Sequence, residues 1–431
     1  MQDMHLPIVQ ICIILLAAAL VVWLLSKFRQ PQVVGEMVAG ILLGPSLLGW
    51  VAPGISAALF PPDSLAPLNL LSQVGLLLFM FMVGLDLDTD KLRKLGHTAV
   101  VISHTSIIIP FGLGALLAIF LFTRVGNTLP YTGFVLFMGA AMSVTAFPVL
   151  ARILDERNLL GTKLGTLTIA CAAVDDVTAW CLLAVIIGVV RSEFNQLAWW
   201  QMVLGVLVYL CVMLFVLRPM LQKLIARQQA QKTEKIIVVL LVFMLVSSGV
   251  TEWLGIHALF GSFFAGVIVP KGNGVGEDIR NRLHLPVVTV LIPLFFAYTG
   301  LRTNIGLVSS ADMILYGGLV LLIAVAGKFG GSTIAARVMG VPWREATAIG
   351  VLMNTRGLME LVILNIGLDI GVLTRPLFSI MVFMAVTTTL MTTPILSWIY
   401  PEYKSKGFQP QHEPVSLKQP YSVAVSAEKL G

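Results

Sequence analysis

The chain has 431 residues, of which 57% are hydrophobic and only 12% charged, whereas ordinary globular domains carry about 25% charged residues. With a mean hydropathy of +0.92, this composition excludes disorder, a coiled coil and an ordinary soluble enzyme. The formal net charge of +6 points to membrane topology and not to a nucleic-acid partner, because cytoplasmic loops are enriched in Lys and Arg.

A bilayer-spanning helix takes about 20 apolar residues. The sequence predicts thirteen spans, at roughly 6–26, 33–51, 66–86, 97–122, 131–154, 162–190, 197–217, 235–253, 257–270, 285–303, 311–337, 343–368 and 373–400. The ninth is short, and the eleventh, around Lys328, is the least apolar. The first is preceded by Met1-Gln2-Asp3-Met4-His5, which lacks the basic flank of a signal peptide. Lys27 and Arg29 follow it instead, so it reads as an uncleaved helix with its N-terminus outside. Alternating the loops from there puts 22 of the 28 Lys and Arg residues on the cytoplasmic side and four outside, leaving Lys328 and Arg356 in the membrane. Residues 1–400 form one membrane domain, and 401–431, rich in Pro, Lys, Gln and Ser, reads as a flexible cytoplasmic tail. The four cysteines lie in apolar stretches and suggest neither a disulfide nor a metal framework.

The chain echoes itself. Ala39-Gly40 in the second stretch matches Ala265-Gly266 in the ninth, and Gly84-Leu85 closing the third matches Gly300-Leu301 closing the tenth. A spacing of seven helices is odd, so the second copy is inverted, as in many transporters. The repeat pairs the fifth stretch with the twelfth. The fifth contains Ser143-Val144-Thr145-Ala146-Phe147-Pro148, where Pro148 has no N–H and frees a carbonyl near Val144. The twelfth contains the polar cluster Asn354-Thr355-Arg356-Gly357. Interrupted helices at matching positions point to a midplane binding site.

A charge at mid-bilayer costs at least about 2.5–3.5 kcal/mol, so each of the few present needs a reason. Asp175 and Asp176 lie mid-way along the sixth stretch, Lys328 in the eleventh, and Arg356 and Glu360 in the twelfth. Adjacent helical residues point about 100° apart. One Asp can therefore pair with Lys328 while the other faces a wet cavity. Burial and like charge favour a neutral carboxyl, and a nearby ammonium favours the carboxylate. A carboxyl balanced in this way binds a proton or a small cation, but not both. Arg356 and Glu360, spaced i, i+4, suit the carbonyl end and the N–H end of a broken helix. Glu36, Asp86 and Asp88 read as solvated helix ends, and His97, His104, His257 and His284 as structural residues and not pH sensors.

Three segments carry a resemblance: residues 143–154, Val174-Asp175-Asp176-Val177-Thr178-Ala179-Trp180, and Met353-Asn354-Thr355-Arg356-Gly357-Leu358-Met359-Glu360-Leu361. Together they resemble the monovalent cation:proton antiporters, in the subgroup with Kef-type systems, NapA-type antiporters and plant cation/proton exchangers. The resemblance implies an all-α fold of 13 transmembrane helices with an inverted repeat and two broken, crossing helices. Helices 4–6 and 11–13 (about 97–190 and 311–400) would form the ion-translocating core. Helices 1–3 and 8–10 (about 6–86 and 235–303) would form a dimerisation part. It implies Asp176 as the principal site for H+ and for transient Na+ or K+, Asp175 as the partner of Lys328, and the backbone around Thr145 as a cation ligand. Pro148, Asn354, Thr355, Arg356 and Glu360 would support the breaks. No cofactor is expected. The expected activity is Na+ or K+ exchange for H+ across the cell membrane, electrogenic, by a homodimer with a cytoplasmic C-terminus. The alternative is a sodium-coupled symporter of an organic solute on a similar fold.

Overall fold

The computed structural model describes residues 5–400 except 29, 62–63, 87–96, 127–129, 158, 160–161, 195–198, 228–232, 255–256, 271–273 and 309. Asp88 and the tail 401–431 lie outside the described residues, as do the side chains of Asp86 and Pro148.

All regular structure among the described residues is helical. The main helices are α1 (His5–Ser26), α2 (Gln32–Leu43), α3 (Leu65–Asp86), α4 (His97–Leu121), α5 (Tyr131–Ser143), α6 (Phe147–Glu156), α7 (Lys163–Phe194), and α8 (Trp199–Cys211, continued through a π-turn and Arg218–Arg227). They are followed by α9 (Thr233–Trp253), α10 (Ala258–Ile268), α11 (Val275–Leu301), α12 (Ala311–Val338), α13 (Trp343–Met353), α14 (Leu358–Asp369) and α15 (Arg375–Ile399). Eleven described helical stretches are long and apolar enough to cross a membrane; α5 and α10 are shorter apolar helices. Two expected ranges shift. The tenth stretch begins earlier, at Val275, because Glu277, Asp278, Arg280 and Arg282 hide a polar first helical segment from a hydropathy reading. The seventh continues past its expected end at 217, its helix running on to Arg227.

Burial sorts the helices by depth. In an 18-residue stretch of Trp343–Asp369, 94% of the residues are buried, whereas in such stretches of His5–Ser26 and Leu204–Ala226 only 17% are. The last two therefore present apolar side chains outward, as a lipid-facing helix does. Glycine sets the closest approaches. A Cβ on Gly40 would overlap the Ala297 carbonyl, and one on Gly300 would lie 2.5 Å from the Gly40 carbonyl carbon. A Cβ on Gly84 would overlap the Phe263 carbonyl, and one on Gly266 the Phe81 carbonyl. α2 thus meets α11 backbone to backbone, and α3 meets α10 in the same way. Van der Waals packing of this kind drives helix association in lipid, where apolar burial supplies no preference.

Gly84→Val should therefore prevent recovery of monodisperse protein in size-exclusion chromatography, since its branches would be driven into the α10 backbone. Gly112→Ala, where a Cβ meets nothing within 4 Å, should leave the profile unchanged. A monodisperse Gly84→Val protein would contradict the packing.

Candidate functional site

Two helices are interrupted at the centre. α5 stops at Ser143, Val144 is extended (φ −82°, ψ 144°), and α6 restarts at Phe147. Pro148 falls in the first turn of α6, where a missing N–H has no partner to lose. The interruption thus spans residues 144–146, and Pro148 opens the second half-helix as well as preventing the first from continuing. α13 stops at Met353, and α14 restarts at Leu358. The two breaks bond to each other: the Ala146 N–H donates to the Thr355 carbonyl at 3.0 Å, and Thr145 Oγ1 donates to the Met353 carbonyl at 3.0 Å.

Broken helices expose carbonyls at one end and N–H groups at the other. Arg356 is fully buried and donates from Nη1 to the Ala141 carbonyl (2.7 Å) and from Nη2 to the Met142 carbonyl (2.6 Å). Its guanidinium therefore neutralises the carbonyl end of α5, in the other broken helix, and not the end of its own helix, because the crossing brings that end closer. Glu360 sits in the first turn of α14, where a negative charge suits the helix dipole, 3.5 Å from Arg356 Nη1. Thr355 Oγ1 donates to Leu352 O at 2.6 Å, and the Asn354 N–H closes the last turn of α13 onto Gly350 O and Val351 O. Thr389 of α15 clamps Arg356: its Oγ1 accepts from the Arg356 N–H at 3.0 Å and lies 2.8 Å from the Arg356 carbonyl as donor.

Asp175 and Asp176 face this crossing from α7, both buried. Asp175 has protein donors on both oxygens. Its Oδ2 accepts from Lys328 Nζ at 3.1 Å and from the Thr145 N–H at 3.0 Å, and its Oδ1 accepts from Ser106 Oγ at 2.9 Å. Lys328 lies in a π-turn of α12 (Ala326–Gly330), a local widening that often marks functional positions. Its ammonium also donates to the Ser106 carbonyl at 3.0 Å and to the Ser143 carbonyl, the last of α5. Asp176 differs from its neighbour. Its Oδ1 has no hydrogen-bond partner among the described residues, and the backbone amide of Phe147, at the N-terminal end of α6, is beside it.

The site thus unites Thr145, Asp175, Asp176, Lys328, Asn354, Thr355, Arg356 and Glu360, the residues singled out in the sequence. Thr145 acts here as a donor through both its N–H and its hydroxyl. Ser106 and Thr389 were missed, since single hydroxyls are common in membrane helices. Glu36, expected at a solvated helix end, is buried and accepts from Gln32 Nε2 at 2.7 Å. His257 caps α10, accepting from the Leu259 N–H, and His104 Nδ1 lies 2.9 Å from the Val100 carbonyl. On the expected outer side, Arg302, just past the end of α11, bonds Asn365 at 3.0 Å and Asp369 at 2.6 Å, both on α14.

Two broken helices crossing beside a buried, half-unpartnered carboxylate define a secondary transporter of small cations. The sequence agrees: it matches the family described as sodium/hydrogen exchanger, transmembrane, over residues 14–400, and the chain belongs to that family. It is 42% identical over 401 residues to the Na(+)/H(+) antiporter NhaS4 of Synechocystis sp., covering 92% of this chain and 97% of that protein. It is 41% identical over 405 residues to Cation/H(+) antiporter 17 of Arabidopsis thaliana, and 33% identical over 408 residues to K(+)/H(+) antiporter 1 of Saccharomyces cerevisiae. These cover 93% and 92% of this chain but only 49% and 48% of the plant and yeast proteins. Among solved structures, the sodium proton antiporter MjNhaP1 from Methanocaldococcus jannaschii matches with a TM-score of 0.58 at 14% identity, over 92% of this chain and 97% of that one. At that identity the likeness concerns the fold.

Removing the Lys328 ammonium leaves Asp175 buried beside a single amide and a hydroxyl. Lys328→Met should cost about 3–5 kcal/mol of stability, and adding Asp175→Asn should recover much of it. Thermal unfolding followed by fluorescence checks both, and a Lys328→Met protein as stable as the parent would contradict the pairing.

Proposed function

We propose that the chain exchanges a monovalent cation, Na+ or K+, for protons, with Asp176 as the group both ions share. One contrast carries the reading: Asp175 accepts three protein hydrogen bonds, whereas Asp176 is buried with one oxygen unpartnered among the described residues. An ionised carboxylate at that depth is stable only with a counter-charge, and a neutral one only with a proton. Cation and proton therefore exclude one another there, and that exclusion couples their fluxes. The backbone around Thr145 supplies oxygen ligands to the cation. Relatives named as sodium/proton and potassium/proton antiporters support exchange of this kind, and family membership favours it over symport of an organic solute.

The same reading extends to the architecture. Counting α5–α6 and α10 with the eleven longer stretches makes thirteen spans, with the N-terminus outside and the C-terminus in the cytoplasm of a cell-membrane protein. An inverted repeat is supported by the glycine contacts: Gly40 of one copy packs on Gly300 of the other, and Gly266 on Gly84, the exchange a two-fold axis would make. α4–α7 and α12–α15 act as the ion-translocating core, and α1–α3 and α9–α11 as a scaffold through which two copies pair. Transport carries net positive charge inward, with more than one proton entering per cation.

Asp176→Asn keeps the shape of the side chain and removes its titration. Everted vesicles carrying it should show no cation-induced alkalinisation of an acidified lumen, while the purified protein unfolds at a temperature close to the parent's. Near-parental exchange would sink the assignment. Charge movement is read separately, as Na+ exchange in proteoliposomes under a potassium–valinomycin potential. An inside-negative potential should speed proton entry. Indifference would instead favour a locked Asp175–Lys328 pair and one proton per cation.

A further inference from the structure

Lys328 is itself a cation close to the site that the proposed exchange gives to Na+ or K+. Its charge acts on Asp176 as well as on Asp175. What keeps the ammonium turned to Asp175 is a pair of main-chain carbonyls, those of Ser106 and Ser143. The Ser143 carbonyl is free because α5 ends there. The Ser106 carbonyl lies within α4, where a helical carbonyl is ordinarily taken by the N–H four residues on. That residue is Pro110, which has no N–H. The buried proline ring also sets the approach of the neighbouring helix. A Cβ on Gly327 would lie 3.0 Å from Pro110 Cα and 3.1 Å from its Cβ, so α12 packs against α4 at the residue before Lys328. The π-turn then carries the lysine toward the open carbonyl.

We propose that Pro110 is a positioning residue for exchange: by leaving the Ser106 carbonyl without a helical donor, it tethers Lys328 away from Asp176 and keeps that carboxylate open to the transported cation. The inference rests on Asp176 being the shared site. Restoring an N–H at position 110 supplies the carbonyl with a helical partner and loosens the tether. The freed ammonium then competes with Na+ or K+ for Asp176. Competition raises the cation KM and leaves the maximal rate largely unchanged, whereas damage to packing lowers the rate or the stability.

The test uses Pro110→Ala and Pro110→Val, the second retaining more of the ring's volume, in proteoliposomes with Na+ as the varied ion. Because both return a helical hydrogen bond, the unfolding temperature should not fall, while the Na+ KM should rise several-fold at near-parental maximal rate. Folded variants with the parental KM would overturn the inference, as would a loss of rate without a change in KM. If the parent itself exchanges no cation, the functional reading fails, and the tether is still decided by a thermal double-mutant cycle. Lys328→Met should then lower the unfolding temperature less in the Pro110→Val background than in the parent. Equal losses in the two backgrounds would overturn it.

Discussion

The centre of this protein is organised by a single electrostatic constraint. Two helices end in mid-membrane, and the carbonyls of such an end carry a partial negative charge that lipid cannot solvate. At the end of α5, three successive carbonyls, of Ala141, Met142 and Ser143, are answered by Arg356 and Lys328. Neither cation belongs to the helix it caps. Arg356 comes from the other break and Lys328 from α12, so the crossing cannot form unless α5, α12 and α13–α14 assemble together. The charges that look expensive in the sequence are thereby the bonds that hold the two breaks in register.

The same arrangement separates two carboxylates that are adjacent in sequence. Once Lys328 is committed to the α5 end, it is also committed to the Asp on its side. Asp175 completes a set of donors drawn from α4, the break between α5 and α6, and α12, through Ser106, Thr145 and Lys328. Asp176, rotated by about 100° on α7, receives no such set. Chemical difference between identical side chains thus comes from helical geometry alone. A carboxylate with donors on both oxygens favours a fixed conformation, and one with a bare oxygen favours an exchangeable ligand.

Much of this was legible in the sequence. Charges were so sparse that Asp175, Asp176, Lys328, Arg356 and Glu360 could hardly avoid one another, and Ser143–Pro148 and Asn354–Gly357 stood out as interruptions. What could not be read was which end each cation would cap. Arg356 lies four residues before Glu360, and its i, i+4 spacing suggested service within its own helix, but the crossing angle, a tertiary property, hands it the carbonyls of Ala141 and Met142. Ser106 and Thr389 were invisible for a related reason. A hydroxyl in a membrane helix can always bond its own backbone, and only its neighbours reveal that it also bonds elsewhere. Pro110 was written in the sequence, yet its meaning depended on the lysine that arrives from α12.

Contact chemistry also says where the molecule can yield. Within the proposed scaffold, α2 meets α11 and α3 meets α10 through glycine backbones that admit no Cβ. Within the proposed core, buried charges bind the crossing helices together. Between the two parts the hydrogen bonds among the described residues include Arg302 to Asn365 and Asp369, Asn365 Nδ2 to Thr299 Oγ1 at 2.9 Å, the Asn304 N–H to Ser379 Oγ at 3.1 Å, and Gln30 Nε2 to the Leu390 carbonyl at 3.4 Å. Apart from the buried Asn365–Thr299 pair, these join polar groups near the helix ends, where water can replace a lost partner at a net cost of about 0.5–1.5 kcal/mol per bond. A shift of the core against the scaffold therefore breaks mostly bonds that solvent can remake, while a shift inside the core strands carbonyls or charges and one inside the scaffold separates close-packed backbones. With Asp176 as the proposed shared site, displacement of one block past the other is then the least costly way to carry it from one side of the membrane toward the other.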